Sequence, residues 1–288
     1  MIGNGGSDRP AAGGGRGRVW SARLLLSSPL LARVLALLLT LAVCGYLILP
    51  LAALFTRTTL ALFLGSLQDP TVLDALYLSM YTAIATMVVV VLIGTPFSYL
   101  HARHAYPGRF VVDALIDLPL LLPPAVAGLA LLLTFGRNGL LGQYLNLFGV
   151  NIAFTTVAVV MAQIFVASPF YLRQARTSFD GVDQRYEQIS WTLGASPVRT
   201  FFAITLPLAG SGLLSGAIMT FARALGEFGA TIMFAGNLQG RTQTMPLAIY
   251  STMQSNLNGA VTIAILMVIF SFGVMMAVKV LTLGEQHA

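Results

Sequence analysis

Long apolar runs separated by short polar segments dominate the chain from about residue 30 onwards. A helix needs about 20 apolar residues to cross the hydrocarbon core of a bilayer. Six segments meet this length, at residues 34–55, 75–100, 110–135, 152–172, 206–235 and 259–278. The pattern predicts an all-α polytopic membrane protein with about six transmembrane helices, because helices satisfy their own backbone hydrogen bonds in lipid.

The composition supports this prediction and excludes an ordinary soluble domain. Of the 288 residues, 57% are hydrophobic and 9% are charged, whereas soluble domains carry about 25% charged residues. The single cysteine, Cys44, rules out a disulfide within the chain. The single lysine, Lys279, has none of the neighbours of a Walker A phosphate-binding loop. If the protein works with ATP, another chain must bind the nucleotide.

The placement of the positive charges predicts the orientation in the membrane. With the N-terminus in the cytosol, twelve of the sixteen basic residues lie on the cytosolic side and Arg223 lies within a span. The three on the outside are Arg57, Arg137 and Arg241. This bias follows the positive-inside rule and predicts that both termini are cytosolic. The net charge of +6 therefore needs no nucleic-acid partner to explain it.

The chain is predicted to contain one transmembrane domain, residues 29–284, with a tail at each end. Residues 1–28 are rich in Gly and Arg and lack the compact apolar region of a cleaved signal peptide, so they predict a flexible basic tail. Residues 285–288 form the predicted C-terminal tail.

A polar loop at residues 176–206 separates the fourth and fifth apolar runs. Asp183 can cap a short helix, and Gly194 can end it. Ser196 then has the character of a second N-cap, with Pro197 at the first helical position. The pattern predicts two short helices joined by a tight turn, which form either a docking surface or an ordinary connection.

This loop resembles the EAA loop of the permease subunits of ABC importers. In that pattern a Gly is followed by nine residues and then by I-x-L-P, and here Gly194 is followed by nine residues and then by Ile204-Thr205-Leu206-Pro207. The segment LGAS at 193–196 also fits. The start departs from the family, because Glu187-Gln188-Ile189 stands where the family has E-A-A.

Two further segments carry the resemblance, which covers about residues 70–280. Residues 94–139 are similar to the region of the second and third spans of these permeases. Residues 221–250, with FGAT at 228–231 and GRTQTMPLAIY at 240–250, resemble the molybdate permeases in particular. The resemblance implies a type I ABC importer permease fold. It implies transport of a tetrahedral oxyanion, with molybdate favoured and sulfate or tungstate as alternatives.

The same resemblance implies partners and a set of coupling residues. A multi-pass permease in the inner membrane would pair with a second copy, a cytosolic ABC ATPase dimer and an extracytoplasmic solute-binding protein. ATP and magnesium would bind to the ATPase, and this chain would hold no cofactor or metal and have no enzymatic site. The residues assigned to coupling are Glu187, Gly194, Ala195, Ser196, Leu206 and Pro207.

Two charges in the fifth apolar run mark a candidate gate or translocation path. Arg223 and Glu227 are four residues apart, so their side chains can meet on one helix face. The pair is either a structural staple or a point of transient contact with a passing dianion. The other candidates are Gly226, Gly229, Pro123 and Pro124, since small residues permit close helix contact and prolines interrupt a span.

Outer and inner ends of the spans contain the remaining candidates. Arg137 and Arg241 are either contacts for the binding protein or ordinary interfacial arginines. Asp113 and Asp117, one turn apart, are expected to pair with Arg109 or Arg103 or to cap their helix. An ion-coupled secondary transporter is the alternative class of function, and for it Arg223 and Glu227 are the only ionisable residues predicted to lie in the middle of a span.

Overall fold

The computed structural model describes residues 29–285, and none of them lies in a β-strand. The helices are α1 (Pro29–Thr56), α2 (Leu60–Ser66), α3 (Pro70–Arg103), α4 (Arg109–Leu121), α5 (Pro124–Phe135), α6 (Gly142–Leu147), α7 (Thr156–Asp180), α8 (Gln184–Thr192), α9 (Pro197–Thr200), α10 (Leu206–Leu225), α11 (Gly229–Ala235), α12 (Met245–Met253) and α13 (Leu257–Glu285), with a π-helical turn at Phe201–Thr205 before α10. The predicted tail at 1–28 and residues 286–288 lie outside the described range.

Five helical segments in the described range are long and apolar enough to cross a membrane, or six if the bent pair α4 and α5 counts as one span. This confirms the predicted all-α architecture with about six spans. The chain divides into two units at residue 56. Helix α1 belongs to the first unit, and all packing described below belongs to the second, which begins at Arg57.

Helix α7 lies at the centre of the second unit and packs against α3 and α10. Small residues make these close contacts possible, since Ala162, Ala167 and Ala175 are completely buried. Polar contacts add to the packing between α3 and α7: Gln163 donates a hydrogen bond to Thr82 Oγ1 at 3.2 Å and accepts one from Thr86 at 3.0 Å. Each of these polar groups is buried and has a partner, as a low-dielectric interior requires.

The third predicted span, 110–135, is broken at the prolines that interrupt it. It consists of α4 and α5, which are bent by 113° at Leu122 and Pro123. Proline has no N–H to donate and forces the preceding residue into an extended conformation. Leu122 and Pro123 accordingly have ψ angles of 134° and 133°, and Pro124 begins the new helix at its first position.

The fifth predicted span, 206–235, is also interrupted. Helix α10 ends at Leu225, and the short helix α11 begins at Gly229. Between them, the Glu227 carboxylate accepts a hydrogen bond from the Ala230 backbone N–H at 2.9 Å, so it satisfies one of the free donors at the start of α11. Arg223 therefore lies in the last turn of α10 rather than inside a continuous helix.

Candidate coupling loop and gate

The loop at 176–206 has the local structure that its capping residues predict. Asp183 accepts a hydrogen bond from the Arg185 N–H at 2.9 Å and begins α8. Gly194 has a φ of +84°, a left-handed conformation that favours glycine, and it turns the chain after α8. Ser196 then accepts from the Arg199 N–H at 3.3 Å and begins α9. The two predicted helices and their tight turn are confirmed.

The turn between α8 and α9 presents apolar side chains at its surface. Leu193 is 82% exposed and Val198 is 66% exposed. A groove of about 440 Å³ lies beside them and is lined by residues of both helices and of the turn, among them Tyr186, Ile189 and Ala195. Exposed apolar surface beside a groove is typical of a site that docks another molecule.

Glu187 does not belong to this exposed surface. Its side chain is 4% exposed and forms an ion pair with Arg103 at the end of α3, with a distance of 2.9 Å between Arg103 Nη2 and Glu187 Oε1. Thr205 donates to the same Oε1 at 2.9 Å. Gln188 and Ile189, where the sequence departs from E-A-A, are exposed. Glu187 thus holds α8 against the body of the protein.

The chain enters α10 through the π turn that precedes Leu206 and Pro207. The Leu206 N–H donates to the carbonyl of Phe201, five residues earlier. In a regular α-helix the ring of Pro207 would clash with the carbonyl of Ala203, four residues before it. The wider π turn lies at this point and lets the helix continue through the proline.

The break in the third span and the break in the fifth span meet in space, which is where the candidate gate lies. A Cβ atom built on Gly229 would come 2.7 Å from Pro124 Cβ, and one on Gly128 would come 2.5 Å from the Ala230 carbonyl oxygen. Helices α5 and α11 therefore touch through glycine and backbone. Pro123, Pro124 and Gly226 are exposed in the single chain.

The two charges beside this contact form an ion pair, as predicted. Arg223 Nη2 lies 2.6 Å from Glu227 Oε2. The two ends differ in burial, because the Glu227 side chain is 1% exposed and that of Arg223 is 28% exposed. Glu227 also caps α11 through its other oxygen. The glutamate is thus an internal anchor, whereas part of the guanidinium remains accessible.

Asp113 and Asp117 form their ion pairs with arginines other than the expected Arg109 and Arg103. Asp113 contacts Arg176 and receives a hydrogen-bonding contact from His101 Nε2 at 2.8 Å. Asp117 lies 3.5 Å from Arg173. The physical reason is that α4 packs against α7, which supplies both arginines, while Arg103 points to Glu187 instead.

Arg137 and Arg241 are both exposed. Arg241 lies in a turn that is bonded to the start of α7, since its carbonyl accepts from Thr156 Oγ1 at 2.9 Å. The segment between the fifth and sixth predicted spans contains α12, whose Leu247 and Ala248 are completely buried.

Sequence reasoning missed Arg103, Thr205 and His101 as members of the site. Arg103 and Glu187 are 84 residues apart, so no local spacing connects them. His101, near the end of α3, is 2% exposed. The one available signal was the presence of a His and an Arg in the last turn of an otherwise apolar helix.

Comparisons with known proteins give the family. Residues 94–282 match the model of the binding-protein-dependent transport system inner membrane component. The molybdenum transport system permease protein ModB of Mycobacterium tuberculosis is 42% identical over 80% of this chain and 87% of its own length. A probable sulfate transport system permease protein, cysT, of Helicosporidium is 34% identical over 82% of this chain and 88% of its own length.

A solved structure supports the fold independently. It is a bacterial ABC transporter involved in the import of the acidic polysaccharide alginate, with a TM-score of 0.71 over 92% of this chain and 98% of that chain. At 13% identity this similarity shows the fold alone. The family match and the level of identity to its members go further: the chain is a multi-pass membrane protein that belongs to the inner-membrane components of binding-protein-dependent transport systems.

Proposed function

We propose that this chain is the transmembrane permease subunit of an ATP-driven importer for a tetrahedral oxyanion, with molybdate as the favoured substrate. The observation that carries the proposal is the 42% identity to a molybdenum permease over 80% of the chain. The segment 221–250, on which the resemblance to molybdate permeases depends, contains the candidate gate. Sulfate is the second candidate, because a sulfate permease matches over a similar length at 34% identity.

The proposed assembly contains two copies of this chain, a cytosolic ATPase dimer that binds ATP and magnesium, and an external binding protein. The exposed Leu193 and Val198 at the turn between α8 and α9 support docking of the ATPase there. Arg137 and Arg241 are proposed contacts for the binding protein, since both are exposed and Arg241 lies beside the end of α7 that is opposite the coupling loop. ATP hydrolysis would move the coupling loop, and this movement would open and close the gate in alternation.

At the gate we assign different roles to the two charges. Glu227 holds the start of α11, because it is buried and accepts from the Ala230 N–H. Arg223 supplies a partly exposed positive charge for the passing dianion. Glu227→Gln is expected to keep the cap and retain assembly, and Arg223→Gln is expected to assemble normally but transport slowly. Loss of assembly with Arg223→Gln would instead make the pair a staple alone.

Reconstitution in proteoliposomes tests the function. The chain is combined with the ATPase and the binding protein, and uptake of molybdate, tungstate and sulfate is measured with and without ATP. Calorimetry of the binding protein with each oxyanion then identifies the preferred substrate. Uptake by this chain alone on an ion gradient would contradict the proposal and favour a secondary transporter.

The coupling loop has its own test. Gly194→Asp places a side chain in the left-handed conformation at the turn and a charge beside the exposed apolar surface. We expect the variant to insert normally into the membrane. The complex should still hydrolyse ATP, but this hydrolysis should no longer drive uptake. Normal transport by this variant would exclude the turn as the coupling element.

A further inference from the structure

The last turn of α3 bonds to two different parts of the protein at once. His101 and Arg103 lie two residues apart in this turn, and their side chains are 2% and 7% exposed. Arg103 contacts the coupling helix α8, and His101 contacts α4. Two ionisable side chains buried in one turn, each with partners on a separate element, distinguish this place from the rest of α3, whose other buried polar residues are Ser79, Thr82, Thr86 and Ser98.

The contact between α3 and α8 is dense. Arg103 donates from Nε at 3.0 Å and from Nη2 at 2.9 Å to Glu187 Oε1, and Nη2 also donates to the Val182 carbonyl at 3.1 Å. Thr205 adds a third donor to the same carboxylate oxygen. Separating a buried pair of this kind leaves an uncompensated charge in a low-dielectric interior, which is strongly unfavourable. A displacement of α8 that keeps this contact intact therefore also displaces the end of α3.

The contact between α3 and α4 is also specific. The His101 ring lies between Tyr106 Oη, at 2.6 Å from Nδ1, and Asp113 Oδ1, at 2.8 Å from Nε2. It stacks on Phe97 with 5.6 Å between the ring centroids. Both ring nitrogens thus have partners, and a group with all its partners in place resists displacement.

The chain itself links α4 to the gate. Helix α4 ends at Leu121, and after the proline break α5 begins at Pro124. Pro124 packs against Gly229 at the start of α11, where Glu227 and Arg223 form their ion pair. From α8 to α11 the elements are thus joined by the Arg103–Glu187 and His101–Asp113 contacts, by the chain at the proline break, and by the packing of Pro124 on Gly229.

We propose that Arg103 and His101 are positioning residues that transmit a displacement of the coupling helix α8 into α4, and from there through the proline break to the gate. The inference rests on the proposed function, since it takes the ATPase as the source of the displacement. It differs from a purely structural role because it requires that α4 respond to events at α8.

The test follows α4 directly while ATP is hydrolysed. Cys44 is the only cysteine, so Cys44→Ser gives a background into which Leu121→Cys is introduced for an environment-sensitive fluorophore. Leu121 is 80% exposed, at the end of α4. In the complex with the ATPase and the binding protein, we expect the fluorescence of the label to change on addition of ATP. ATP consumed per oxyanion transported is measured in parallel.

Two variants break the two contacts without leaving a lone buried charge. Arg103→Leu with Glu187→Leu removes both charges, and His101→Phe keeps the ring stack on Phe97 but loses both hydrogen bonds. In each we expect continued ATP hydrolysis, a fluorescence change at Leu121 that is reduced by about fivefold or more, and a similar rise in ATP consumed per ion transported. The matched control is Arg173→Gln, whose partner Asp117 is 3.5 Å away at an exposed site, and it should behave as the parent.

A wild-type response in both variants would overturn the inference and make the contacts structural only. An unresponsive label in the parent, with ATP-driven uptake intact, would overturn the inference while the proposed function survives. A chain that neither binds an ATPase nor supports ATP-driven uptake would contradict the proposed function and the inference together.

Discussion

The coupling end and the gate end of the molecule are held by different kinds of contact. At the coupling end, Arg103 and Thr205 both donate hydrogen bonds to one buried carboxylate oxygen of Glu187. At the gate, Gly128 and Gly229 let the backbone of α5 approach that of α11, and the ion pair beside this contact is open to solvent at Arg223, whose side chain is 28% exposed. Loss of charge pairing is costly at the first place and added volume is costly at the second. The comparison indicates that the coupling end is built to move as one body, whereas the gate is a contact between two short helices.

The largest expected effect comes from breaking the charge pair on one side. Glu187→Leu leaves Arg103 buried without its partner, which should lower the free energy of unfolding by about 3–5 kcal/mol. Titration with a denaturing detergent measures this change. Adding Arg103→Leu should recover most of the loss, because an apolar pair can replace a buried ion pair at little cost. A double variant as unstable as the single one would contradict this account.

Added volume at the gate should have the next largest effect. In Gly128→Ala the new methyl group meets the Ala230 carbonyl oxygen, and overpacking of this kind costs about 1–3 kcal/mol. The same titration measures it. The control is Gly210→Ala in α10, where nothing lies within 4 Å of the new atom, so better helix propensity should leave stability unchanged or raise it by up to about 1 kcal/mol. Equal changes in stability at Gly128 and Gly210 would contradict the close backbone contact inferred at the gate.

The cap of α8 should contribute less. Asp183→Ala removes the acceptor for the Arg185 N–H, which costs about 1 kcal/mol of helix stability. Hydrogen exchange of the α8 amides measures the local change, which we expect to be confined to this helix. Asp183→Asn keeps a capping oxygen and should exchange at nearly the parental rate. Faster exchange throughout α7 would contradict a local role.

The smallest effect is expected at the exposed ion pair between α4 and α7. Arg173 and Asp117 are 3.5 Å apart, with side chains 62% and 42% exposed, and pairs of this kind contribute about 0–1 kcal/mol. Arg173→Gln should therefore change the unfolding free energy very little in the detergent titration. A loss of stability as large as that of Glu187→Leu would show that solvent exposure does not explain the difference between the Arg173–Asp117 pair and the Arg103–Glu187 pair.

Local signals predicted the coupling loop well because each acts within a few residues. Asp183, Gly194 and Ser196 determine caps and a turn through their own backbone neighbours. Hydropathy and the prolines located the spans that are broken, but they did not give the geometry of the breaks. Apolar length alone cannot distinguish one straight helix from two helices joined by Pro123 and Pro124 or by Gly226 and Glu227.

The partners of the buried charges were beyond sequence reasoning for a different reason. Asp113 had arginines near it along the chain, yet it contacts Arg176, 63 residues away. The family resemblance assigned Glu187 to the coupling residues, yet its side chain is buried against Arg103. Which charge meets which depends on how the helices cross, and a single sequence carries no record of that.

Sequence by itself therefore determined the membrane class, the approximate number of spans and the local form of the coupling loop, since hydropathy and capping act over one helix or one turn. The tertiary structure alone decided that Pro124 meets Gly229, that Glu187 is internal and that one turn of α3 bonds to both α8 and α4. These contacts join residues far apart in the chain, and they exist only because the packing of α3, α4, α7 and α10 brings their ends together.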